Sequence, residues 1–109
     1  MIDHAAALEV ALALVPVPPE QVIEGSPLTG SQVLGTLGDR SYGVWEMSPG
    51  TMSDVETDEV FIVLAGEGTV QLVDDGVVIP LSSGSVVALS NGMRTIWTVS
   101  QTFRKVWFA

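Results

Sequence analysis

The chain has 109 residues, 47% of them hydrophobic, which is enough for one domain with a real core and too few for two ordinary domains. Four Lys and Arg stand against thirteen Asp and Glu, a formal net charge of −9, which argues against a nucleic-acid groove or an anionic-membrane surface because both need clustered cations. Cysteine is absent and His4 is the single histidine, so disulfides, thiolate metal sites, Cys nucleophiles and multi-histidine metal centres within the chain are excluded.

The N-terminal stretch is rich in Ala, Leu and Val but has no basic region before it, and Glu9 interrupts the apolar run. That reads as a short helix or an arm rather than a secretory signal, and no stretch approaches the ~18–20 apolar residues of a membrane span, so a cytoplasmic protein is expected. Residues 5–14 favour helix by propensity, as a short helix or an arm. Val15-Pro16-Val17-Pro18-Pro19 stops it, because proline lacks the backbone donor and clashes with the preceding turn. Residues 16–30 hold four of the six prolines and read as an extended lead-in with turns. We therefore take 1–30 as an N-terminal arm of the same domain and 31–109 as the body.

From about residue 33 the pattern changes to short β-type runs with turn punctuation: 33–37, 42–47, 59–65, 68–73, 77–81, 85–89, 94–99 and 103–108. Asp74-Asp75-Gly76 is a hairpin signal, and Ser82-Ser83-Gly84 and Ser90-Asn91-Gly92 mark two more turns. Many short strands at near-regular spacing predict an all-β sandwich or barrel. In 59–65, Val60, Ile62 and Leu64 point one way and Glu59, Phe61 and Val63 the other. A strand apolar on both faces predicts a barrel wall that packs against the N-terminal arm or a second subunit.

Two segments then align by spacing. Glu59, six residues and Gly66 resemble the second half of cupin motif one. Gly84, five residues, Ser90-Asn91-Gly92, two residues and Thr95 resemble cupin motif two. Gly43-Val44-Trp45-Glu46, Ser48-Pro49-Gly50, Asp58-Glu59, Val63-Leu64-Ala65-Gly66, Trp97-Thr98-Val99 and Arg104-Lys105-Val106 follow in an order similar to the small cupins that include ureidoglycine aminohydrolase and the ethanolamine-utilisation cupin. The resemblance covers about residues 16–108 and implies an all-β, RmlC-like jelly-roll barrel. It also implies a metal held by two motif-one His, the motif-one Glu and the motif-two His. Here the His positions fall on Ser53 and Val55, or on Met52 and Asp54, and on Thr95, so only Glu59 survives and no metal or other cofactor is expected.

The resemblance places Glu59 in the barrel interior, as a general base, a ligand acceptor or a structural acceptor. If Thr95 takes the inward place of the family's His, Trp97 also points inward, as a ligand wall or as filling. Phe61 shares the face of Glu59. Glu46 is a candidate carboxylate partner for Glu59, or else a surface or ion-pairing residue. Arg94 is a candidate clamp for a substrate carboxylate, or a local ion pair. Arg104 and Lys105 must face opposite ways, one of them pairing with an acid. Asp54, Glu56, Asp58, Glu59 and Glu67 concentrate five of the thirteen acids near the mouth, which favours a cation or amine if anything charged binds, or is a solvated loop.

The expected function is a metal-independent small-molecule-binding barrel using Glu46, Glu59, Phe61, Arg94, Thr95 and Trp97, in a homodimer. The alternatives are an enzyme with Glu59 as acid/base, and a structural or regulatory dimerisation domain with a filled barrel.

Overall fold

Period-2 alternation of apolar and polar residues dictates strands, and in the computed structural model, which describes residues 4–109, nearly all regular structure is β. Nine strands form one antiparallel sheet: β1 (Val15–Pro16), β2 (Val22–Glu24), β3 (Leu28–Leu37), β4 (Arg40–Met47), β5 (Gly50–Val55), β6 (Glu59–Leu72), β7 (Val77–Leu81), β8 (Val86–Leu89) and β9 (Arg94–Phe108). Among the described residues, one 3-10 turn at Pro19–Gln21 completes the set. No helix among the described residues is long and apolar enough to cross a membrane.

The sheet curls because β6 and β9 are long enough to serve two layers. The first half of β6 pairs with β8 and with residues 104–108 of β9, which in turn pair with β4, then β3, then β1. The second half of β6 pairs with β7 and with residues 95–99 of β9, which pair with β5, then β2. The turn between the layers falls where the β6–β9 register shifts, from Val63 to Gly68. Gly66 makes that bend possible: its φ is +89°, and a Cβ there would run into the Thr102 carbonyl and the Phe103 backbone. The sequence reading divided these stretches into 59–65 with 68–73, and 94–99 with 103–108. The structure joins each pair, because the intervening residues make bulges rather than chain reversals. The expected hairpin at Asp74-Asp75-Gly76 is present, with Leu72 opposite Val77.

Residues 5–14 correct the helical expectation. A turn closed by Glu9 N–H donating to the Ala6 carbonyl is followed by extended chain. Val10, Leu12 and Leu14 are half-buried while Ala11 and Ala13 are exposed, a strand-like alternation. A ten-residue helix has little stability of its own. Here the Ala7 and Val10 carbonyls are instead taken by Arg104 Nη1, at 2.9 and 2.8 Å.

Between the layers lies a filled core: Met47, Phe61, Val63, Val70, Trp97 and Phe103 are almost fully inaccessible. Trp97 sits at its centre, its ring centroid 5.4, 5.6 and 5.8 Å from those of Trp45, Phe61 and Phe103. The N-terminal arm covers part of the opposite face of the first layer, through Arg104, and leaves part of it exposed. Val60, Ile62, Val86 and Phe108 are exposed there and adjacent by register, with Ile62 opposite Val86 and Val60 opposite Phe108.

Candidate functional site

The inward face of β9 presents Thr95, Trp97, Phe103 and Lys105, all buried. An ammonium in such a place needs a counter-charge. Lys105, only 4% exposed, donates from Nζ to Glu59 Oε2 at 2.6 Å. Its Nζ also lies 4.4, 4.7 and 4.8 Å from the ring centroids of Phe61, Trp97 and Trp45. Negative ring faces attract a cation, so three rings and one carboxylate enclose this charge.

A second buried carboxylate stands beside it. Glu56 follows β5 and is 7% exposed. Its Oε2 accepts hydrogen bonds from Thr95 Oγ1 at 2.6 Å and Trp97 Nε1 at 3.0 Å. Its backbone is fixed by the 90–93 turn, since Glu56 N–H donates to the Met93 carbonyl and Gly92 N–H donates to the Glu56 carbonyl, both at 2.8 Å. Asp54 is half-buried at the end of β5, and among the described residues its carboxylate accepts only from the Val55 N–H. Burial, reinforced by the Glu56 carboxylate, pushes the Asp54 carboxyl above its ordinary value.

That shift carries a sign. A carboxyl whose folded-state pKa is raised binds its proton more tightly in the folded chain, so ionising it as pH rises costs stability. Asp54→Asn is therefore expected to raise Tm at neutral pH, and the gain should shrink as pH falls toward 3.8, where Asp54 takes up its proton anyway. Thermal melts of both proteins across that range check this; a gain that does not change with pH would contradict it.

Asp54, Glu56, Glu59 and Lys105 line a cleft of about 290 Å³ at the mouth of the cup, with Trp45, Trp97 and Trp107 as its aromatic walls. These are all three tryptophans of the chain.

Of the six residues expected at the site, Glu59 and Trp97 line this cleft. Thr95 stands behind it, holding Glu56. Phe61 lies in the core, fully inaccessible, beneath the Lys105 ammonium. Glu46 is placed elsewhere: it faces away from its neighbour Trp45 and accepts from Arg104 Nε at 3.0 Å. Arg94 is also outside, in an exposed ion pair with Asp74. Arg104 and Lys105 do face opposite ways, and both are paired with acids. In the sequence Glu56 is one acid of the mouth region with no site role, and the facing of Lys105 is open. The available signal was parity: on one unbroken strand, Lys105 shares the face of Thr95 and Trp97.

The donor set does not fit a transition-metal centre. Among the described residues no three His, Cys, Asp or Glu converge as ligands. Glu59 is engaged by an ammonium, and the Thr95 hydroxyl is given to Glu56. A roomier groove of about 490 Å³ runs between the arm and the outer face, walled by Leu34, Tyr42, Val106 and Phe108 with His4 at its edge. It gathers no convergent charges.

The profile of the EutQ-like cupin domain matches residues 34–107. Among solved structures, the EutQ protein of Clostridium difficile is 22% identical with a TM-score of 0.63, over 75% of this chain and 61% of that one. A protein of unknown function from Pseudomonas syringae is 23% identical with a TM-score of 0.77, over 92% of this chain and 44% of that one. This chain thus spans less than two thirds of either. A putative ethanolamine utilization protein Q from Salmonella typhimurium is 18% identical with a TM-score of 0.66, over 91% and 94% of the two chains. At these identities the likeness shows the fold. No curated protein matches the sequence significantly.

Proposed function

The chain belongs to the EutQ-like cupin family, and from that premise we propose that it is a metal-independent, small-molecule-binding barrel whose ligand occupies the mouth cleft. The observation that carries this is that three carboxylates and one ammonium line a single aromatic-walled cleft of about 290 Å³. The interior beneath is filled by Phe61, Trp97 and Phe103, which confines a ligand to the mouth. Lys105 neutralises Glu59, while Asp54 and Glu56 form no ion pair among the described residues. An amine-bearing or otherwise cationic ligand suits that balance, and Arg94, the one local reason to expect an anion, lies outside the cleft.

With all three tryptophans in the cleft walls, intrinsic fluorescence reports occupancy directly. Chelator-treated protein titrated with a panel of small amines, amino acids and carboxylates is expected to show saturable quenching or a spectral shift with an amine-bearing member. No saturable response from any compound, or one that appears only with a divalent metal, would count against the reading.

We also propose that the chain forms a homodimer through the exposed face of Val60, Ile62, Val86 and Phe108, whose apolar stripe across adjacent strands suits a second copy of itself. Light scattering at micromolar concentration should give twice the chain mass; a monomer would contradict this.

A further inference from the structure

We propose that Lys105 is a built-in cation: its tethered ammonium takes the place against Glu59 that a metal ion would occupy. The inference concerns the cation of the site and stands whether or not a ligand binds in the cleft. Three features carry it. Lys105 Nζ lies 2.6 Å from Glu59 Oε2, the single carboxylate left of the expected ligand set. The rings of Phe61, Trp97 and Trp45 flank the ammonium, all with centroids within 4.8 Å. Those rings attract an ammonium but offer no lone pairs to a divalent ion, which needs several N, O or S donors. Of the residues in the expected histidine positions, Thr95 bonds Glu56, Ser53 Oγ reaches the Gln21 carbonyl, Met52 and Val55 are apolar, and the Asp54 carboxylate accepts the Val55 N–H.

The cage is thus selective by chemistry for a small monovalent ammonium, and the chain supplies its own. The ammonium is held in place by the strand that carries it: Lys105 pairs with Trp45 on one side and Val63 on the other, so its stem rises from the middle of the first layer.

The test begins with protein purified without chelator. Elemental analysis is expected to show Mn, Fe, Ni and Zn far below one equivalent, and Tm should not move on adding or chelating divalent ions. One equivalent of metal, lost in Glu59→Gln, would overturn the proposal. Lys105→Ala strands the Glu59 carboxylate and is expected to lose on the order of 10 °C or more in Tm. Methylammonium chloride should restore part of that loss, and sodium chloride at equal ionic strength should not. Equal effects of the two salts would contradict a specific ammonium cage. Should Lys105→Ala fail to fold, Lys105→Ala/Glu59→Gln takes its place. Removal of the stranded charge is expected to restore a soluble folded protein that gains nothing from methylammonium. A double variant no better folded than the single would show that the lysine stem, rather than its charge, matters, and would overturn the proposal.

Discussion

Trp97→Ala is expected to lose about 3–5 kcal/mol of stability, the range for truncating a large buried aromatic. The position justifies the upper part of that range. Trp97 is 2% exposed and packs on Trp45, Phe61 and Phe103. It also donates to Glu56 and covers the Lys105 ammonium. Truncation opens a cavity at the centre of the core and removes one of the two donors that hold a buried carboxylate. Trp97→Phe separates these effects. It keeps part of the ring packing while removing the indole N–H and some ring volume, so it should cost less than Ala but at least the about 1–3 kcal/mol of a carboxylate left with one donor. Urea unfolding of the two variants beside the parent measures both. Near-equal losses would place the weight on the Glu56 hydrogen bond rather than on packing.

The second large effect is expected at Glu59. Glu59→Ala leaves the Lys105 ammonium buried without its counter-ion, and breaking a buried pair from one side costs about 3–5 kcal/mol. Glu59→Ala/Lys105→Met should recover much of that, because a methionine stem fills the lysine's track without a charge to strand. The coupling between the two sites, read from the full double-mutant cycle, separates the ion pair from the loss of either side chain. Arg94→Ala is the control: its pair with Asp74 is 60% and 61% exposed, and solvent screens it, so no comparable loss is expected. Additive single effects at Glu59 and Lys105 would show that the two groups do not form a unit.

The residues that fix the fold are those whose chemistry is local. Asp74-Asp75-Gly76 reads as a hairpin because Gly76 takes a φ of +70°, and the structure places the β6–β7 turn there. The motif glycine Gly66 was also visible, but its consequence was not. A bulge and a chain reversal use the same residue types, and what distinguishes them is the Thr102–Phe103 backbone packed against Gly66. The arm shows the converse. Ala and Leu favour a helix over 5–14, yet Val10, Leu12 and Leu14 also alternate, and the carbonyls that Arg104 draws in decide for the extended form.

The site was half legible for a related reason. Glu59 and Trp97 carry motif spacing, which is a property of the chain. Lys105 and Glu56 acquire their roles from pairing across strands. Glu56 lies 39 residues from Thr95, and Lys105 lies 46 from Glu59. Seen alone, Glu56 is one acid among several in a loop. Its burial follows from β5, a strand the sequence reading did not mark, which carries Met52, Asp54 and then Glu56 along one parity toward the interior. Arg94 and Glu46 stand outside the cleft, as ion-pairing residues, for the opposite reason. Each sits next to an inward residue, and alternation sends it to the outer face, where Asp74 and Arg104 take it up.

The central claim is that a small molecule binds the mouth cleft without a metal. The most direct test is the Tm of chelator-treated protein across the amine-bearing panel, run beside Thr57→Trp. Thr57 lines the cleft and is exposed, so a tryptophan there obstructs the opening without disturbing the core. A ligand at one hundred times its Kd adds about 2.7 kcal/mol, on the order of 10 °C for a domain of this size. The account predicts such a rise in the parent protein and its loss in Thr57→Trp. A rise that survives in Thr57→Trp, or one that requires a divalent ion, would contradict it.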